Sequence, residues 1–203
     1  MKSIAIFETQ IPSGNLSDTT TLYTLLHSLN QVPDHPLVME KIQKMIRDKE
    51  QAPILLMFAC HEGLPTACRV LIEMGAPTDV ALCGTLYEGD EALNFALKKC
   101  ADVTASHSSR HGAHHCAMII LSKHKSALGS TAFSAKHASD LWLWSHGRNI
   151  QLGGNTQLGE QYDRSCAVRL LLSAGVDPNV PAELFGGITL PGQPVHFFYP
   201  LYL

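Results

Sequence analysis

Residues 54–80 read ILLMFACHEGLPTACRVLIEMGAPTDV, and how this stretch divides decides the fold. A continuous apolar run, Ile54 to Cys60, is followed by Gly63 and then Pro65. A glycine just past a helix supplies the left-handed residue that ends it, and a proline at the first turn of the next helix loses no hydrogen bond. The stretch therefore predicts a short helix ending near Cys60, a turn at Gly63 and a second helix over Pro65–Glu73. Gly75 caps that second helix, and Cys68, Val70, Leu71 and Ile72 form its apolar stripe.

The pattern recurs. Residues 163–180, DRSCAVRLLLSAGVDPNV, place Gly175 at the same interval from Asp163 as Gly75 lies from Gly63. Residues 112–124, GAHHCAMIILSKH, have the same length and rhythm. The aligned triplets are Val70-Leu71-Ile72, Ile119-Ile120-Leu121 and Leu170-Leu171-Leu172. The first half also repeats, in Thr20 to Leu26, in Glu91 to Leu97 and in Gln193 to Phe198. Leu22, Leu56 and Leu93 then occupy equivalent positions, at spacings of 34 and 37 residues.

These units resemble ankyrin repeats, whose signature is T-P-L-H-x-A, a Gly at the turn between helices and a later L-L-x-x-G-A-D-x-N. The match is nearest in 170–179, LLLSAGVDPN; 193–196, QPVH, is a variant of TPLH, and Ala59 to Gly63 stands for the A-A-x-x-G segment. The resemblance covers roughly residues 19–198 and implies an all-α fold, an ankyrin-like solenoid of stacked helix–turn–helix repeats with hairpin-type loops. Single helix pairs cannot bury their own apolar faces, so neighbours must share one core. The expected organisation is an N-terminal extension over 1–18 and an array over 19–203. The array divides into a capping pair (19–51), repeats at about 52–84, 85–126 and 127–181, and a partial repeat (182–203) beginning a further first helix. Leu37, Val38, Ile42, Met45 and Ile46 give the cap its apolar face, with Glu40, Lys41, Lys44, Arg47 and Asp48 on its polar one. The chain departs from the family at residues 101–111, ADVTASHSSRH, and at 147–161, GRNIQLGGNTQLGEQ, which read as insertions, and at His124, which stands where a capping Gly belongs.

The 203 residues carry a formal charge of -3, and 16% of them are charged. Nucleic acid is an unsuitable partner, because phosphate neutralisation needs clustered Lys and Arg. The longest apolar runs, Ile54 to Cys60 and Ala117 to Leu121, are far short of the roughly 20 residues of a spanning helix. The N-terminal apolar stretch stops at Glu8, too soon for a secretory signal. Cys60, Cys68, Cys83, Cys100, Cys116 and Cys166 form no CxxC pair and read as reduced thiols in the cytoplasm, with Cys68, Cys116 and Cys166 in the core.

His107, His111, His114 and His115 cluster beside Cys116, and imidazoles suit zinc, nickel or copper. The stretch is rich in Ser, Ala and Gly, so a solvated loop leading into a helix is the simpler reading, and no metal is expected. No nucleophile elbow, phosphate loop or dinucleotide fingerprint is present, so no enzyme and no cofactor are expected. Trp142 and Trp144 cannot share a helix face, which places one in the core. Asn179 follows Asp177 at the position that braces a hairpin in this family.

What the resemblance implies is a protein–protein interaction module, a monomer, with its partner on the concave face and loop tips. Carried over residue by residue, the contacts are His61, Glu62, Lys98, Lys99, Ser145 and His146 before the turns. Thr78, Asp79, Leu82, Leu86, Tyr87 and Glu88 add a hairpin tip, with Tyr87 as the anchor. Two alternatives remain open: an enzyme or metal-binding protein using a His/Cys site near 100–116, and the recognition domain of a bacterial effector acting in a host cell.

Overall fold

The computed structural model describes residues 19–48, 51–80, 91–146, 162–180, 182–183 and 197–198. Among them the protein is all-α: α1 (Thr19–Gln31), α2 (Pro36–Ile46), α3 (Gln51–Glu62), α4 (Pro65–Glu73), α5 (Ala92–Ala101), α6 (His107–Leu128), α7 (Ser130–His146) and α8 (Arg164–Ala174). A two-residue antiparallel pairing joins β1 (Ala182–Glu183) to β2 (Phe197–Phe198). None of these helices is long and apolar enough to cross a membrane.

The apolar run of 54–60 resolves as the central helix. From Ala52 to Cys60 only Ile54 escapes burial, so α3 is enclosed on every side, as its lack of amphipathic pattern requires. Gly63 ends it with φ +70°, while the amides of Gly63 and Leu64 donate back to Cys60 and Ala59. The same device closes α4 at Gly75 and α8 at Gly175, whose following amides donate to Leu71 and Leu171. His124 cannot take that role. Helix α6 therefore runs on to Leu128, where Gly129 (φ +74°) stops it.

Helix α3 packs on α5 and α4 on α6, so in these two units first helix meets first and second meets second, an order that the flanking helices α1, α7 and α8 do not keep. Helix α1 seats on α4, α8 packs against α5 and α6, and α7 packs against α6 and α8. The core is continuous across these contacts, from Leu22, Leu25, Leu26 and Leu29 of α1 to Leu170 and Leu171 of α8. Helix α2 is more thinly held: Ile42 is buried, whereas Leu37 is 65% exposed.

Leu64, at the start of α4, has no capping side chain. Asn30 of α1 supplies one in trans, its Oδ1 accepting from the amides of Thr66 (2.9 Å) and Ala67 (3.3 Å). Those are two of the donors that a helix start leaves unpaired. Asn30→Ala is expected to cost about 1 kcal/mol, read as a lower urea midpoint, with amide exchange accelerated first in α1.

The structure departs from the sequence expectation in three places. The stretch 101–111 is not a loop throughout: Ser106 caps α6 by accepting from Ser109 N (3.2 Å), so residues from His107 onward are helical. The helix expected over 193–198 is absent where it can be seen, since Phe197 and Phe198 are extended and paired with Glu183 and Ala182. Cys166 is only partly buried. Expectations for 1–18, for 147–161 and for Cys83 lie outside the described residues.

Cys166, at the start of α8, brings its Sγ to 2.9 Å from that of Cys100 at the end of α5. The backbone pins this contact, because Asp163 N donates to Ala101 O at 2.7 Å and Asp102 bridges Tyr162. Burial, then the hydrogen bond to Cys166, pushes the Cys100 thiol up to about 12. Glutathione disulfide is expected to cross-link the pair, taking two electrons and leaving as two glutathiones. Mass spectrometry should find two hydrogens lost, with reversal by dithiothreitol and no such product in Cys166→Ser.

Candidate partner-binding cleft

Where α1, the α3–α4 turn and the α5–α6 connection converge, the surface opens into a cleft of about 820 Å³. Tyr23, His27 and Asn30 form one wall, and His61, Glu62, Gly63 and Leu64 form the floor. Lys99, Asp102, Thr104, Ala105, Ser106, Ser108 and Ser109 close the far side. Of the residues expected to touch a partner, His61, Glu62 and Lys99 are brought together here.

The cleft is chemically mixed. His61 Nδ1 and Glu62 Oε1 are 2.9 Å apart. Burial alone would raise the Glu62 carboxyl, but the hydrogen bond and charge of His61, then the charges of Lys99 and His27, outweigh it and hold the group below its usual range. Glu62 is therefore an anion beside the Lys99 ammonium. His27 Nε2 is buried without a hydrogen-bond partner among the described residues, and burial lowers its pKa. The Tyr23 and His27 rings pack against each other, tilted by 38° with centroids 4.0 Å apart, giving the wall an aromatic surface. Such a floor can take both a cationic and an anionic group, against an aromatic wall.

The remaining expected contacts lie elsewhere. Lys98 is half-buried on α5, and Ser145 donates to the carbonyls of Leu141 and Trp142 in its own helix. Asp79 is exposed. Leu82, Leu86, Tyr87, Glu88 and the His146 side chain lie outside the described residues. Trp144 is buried and Trp142 partly so, while Asn179 braces its turn through Asp177 Oδ1.

Thr78 belongs to a different group. Its Oγ1 is 2.9 Å from His124 Nε2, His124 Nδ1 is 3.1 Å from His137 Nε2, and His137 Nδ1 is 2.9 Å from Asp140 Oδ2. Both imidazoles are buried, and this hydrogen-bonded chain ties the segment after α4 to α6 and α7. Burial first, then the charges of Lys136 and His137, lowers the His124 pKa to about 4. The ring is thus neutral at physiological pH and can act as both donor and acceptor. In the sequence His124 stands out only by its place in the pattern of 112–124, and no local signal marks His137.

The His-rich stretch and its cysteine part company. His107, His111 and His115 recur at every fourth residue and are exposed on α6, with His111 Nε2 and His115 Nε2 3.1 Å apart. Cys116 turns inward and is fully buried with Cys60 and Cys68.

Comparison with known proteins finds no matching family model, no similar curated protein and no similar solved structure.

Proposed function

We propose that this chain is a degenerate ankyrin-repeat module that recognises another protein, with a partner segment seated in the cleft between α1, the α3–α4 turn and the start of α6. The observation that carries this reading is the convergence of His61, Glu62 and Lys99 in one open cleft. All three stand at the variable positions before the turns of the repeat pattern. The stacking of α3 and α4 on α5 and α6, in matching order, supports the repeat reading. So do the left-handed glycines at Gly63, Gly75 and Gly175. The partner segment would set a basic residue against Glu62 and an acidic one against Lys99, with apolar atoms on Tyr23. Partial desolvation makes such charges matter more for selectivity than for gross affinity.

Glu62→Lys combined with Lys99→Glu reverses the polarity of the floor and keeps its net charge. Quantitative capture from a cytosolic extract, native chain against this variant, should show at least one protein enriched by the first and lost by the second. Circular dichroism should match, with the thermal midpoint lowered only modestly by loss of the Glu62–His61 contact. Identical captured sets from two equally folded chains would refute the reading.

A further inference from the structure

We propose that Cys60, Cys68 and Cys116 form a binding site for a thiophilic metal ion of coordination number three, monovalent copper being the ion that the geometry fits. This inference does not depend on the partner-binding reading.

The three residues are distant in sequence and come from three helices. Cys60 lies in the last turn of α3, Cys68 in the first turn of α4 and Cys116 midway along α6. They meet because α6 crosses the α3–α4 turn backbone against backbone at Gly112 and Gly63. Cys116 lies one helical turn beyond Gly112 and so shares its face. Their three sulfurs all lie within 4.8 Å of one another, and those of Cys60 and Cys68 are 3.9 Å apart. Sulfurs between 3.9 and 4.8 Å apart place an ion equidistant from all three about 2.3 to 2.8 Å from each, so an ordinary metal–thiolate length of about 2.3 Å is reached by drawing the sulfurs inward by at most about half an ångström.

The donor set selects the ion. Among the described residues the group offers three sulfur atoms and no fourth His, Cys, Asp or Glu ligand. Structural zinc takes four ligands in a tetrahedron, and hard cations want oxygen. Soft thiolates without nitrogen or oxygen donors favour Cu(I), which is satisfied by three. All three side chains are fully buried, so water would not occupy a fourth position. The binding step needs no redox partner. Each ligating thiol exchanges its S–H bond for an S–Cu bond, its proton passes to the buffer, and copper enters and stays as Cu(I). The competing account is that the three cysteines only fill space as small apolar residues.

The test is an anaerobic titration of the full chain with Cu(I) supplied as its bicinchoninate complex, followed by X-ray absorption. The expected result is transfer of one equivalent, with a shell of three sulfurs at about 2.3 Å and no nitrogen or oxygen. Cys100→Ser/Cys166→Ser should bind alike, Cys116→Ala should bind at least about tenfold more weakly, and zinc alone should bind the native chain more weakly than Cu(I). The proposal is overturned by no transfer, by a shell containing nitrogen or oxygen, or by tighter binding of zinc. It is equally overturned by a two-sulfur shell lost in Cys100→Ser/Cys166→Ser, which would place the ion on that pair. If Cys116→Ala does not fold, the sulfur count in the native chain decides by itself.

Discussion

Gly112→Ala is expected to destabilise the protein by about 3 kcal/mol, and Gly112→Val to leave it unfolded at room temperature. In an isolated helix the alanine change would help by about 1 kcal/mol, because glycine is the poorer helix former. Position 112 reverses the sign. A methyl group there runs into the carbonyl of Gly63, and one at Gly63 runs into the carbonyl of Ser109 and comes within 3.0 Å of Ala113 N. All of these are backbone atoms, with no flexible side chain to give way. Gly63 also holds φ +70°, which an alanine adopts only with strain. The natural control is Gly75, also at positive φ but with open space around it. Gly75→Ala should cost about 1 kcal/mol, from conformation alone. Urea denaturation of the three single variants checks the order. A stabilised Gly112→Ala chain would mean that α6 does not cross the turn this closely.

Acid is expected to weaken the fold well above the usual carboxylate range. His124 titrates at about 4 in the folded protein and at roughly 6.5 when unfolded. Between those values the unfolded chain binds the extra proton, so stability is full above about pH 6.5 and is lost as pH falls towards 4. The difference corresponds to about 3 kcal/mol at most. Burial also lowers His27 and His114, which adds loss of the same sign. Lys136, Asp79, Asp140 and Glu91 surround the buried His124–His137 pair, and Glu91 is itself raised by burial, which opposes the trend. Glu62 and Asp163 are held low, so their contribution fades only at still lower pH. Thermal midpoints at pH 7.5 and 4.8 should differ by several degrees in the native chain. The gap should narrow in His124→Gln, which starts from a lower midpoint. An unchanged gap would remove His124 as the cause.

How far the sequence could be read follows from these same residues. Gly63, Gly75 and Gly175 act locally, each at the end of its own helix, so their spacing revealed three helix ends without any tertiary knowledge. The run 54–60 was harder, because a uniformly apolar segment has no face; only the flanking Gly63 and Pro65 made it a helix. The cleft floor was legible because His61, Glu62 and Lys99 stand just before helix ends that the sequence itself marks. Its aromatic wall was not, because Tyr23 and His27 reach the cleft only through the docking of α1 on α4. The cysteine cluster was hidden for a related reason. Cys60 and Cys116 became neighbours through the Gly63–Gly112 crossing, and a close approach between two glycines leaves no mark in hydrophobic period. His124 and His137 needed the packing of α7 on α6, which the repeat pattern does not specify.

The central functional proposal is that a partner protein occupies the cleft. Once a partner has been captured, amide hydrogen exchange of the full chain with and without it tests that claim most directly. Slowed exchange is expected at 61–64 and 102–109 and in the second half of α1, with little change in α7 and α8. Protection confined to α7 and α8, with the cleft segments exchanging as in the free chain, would contradict it.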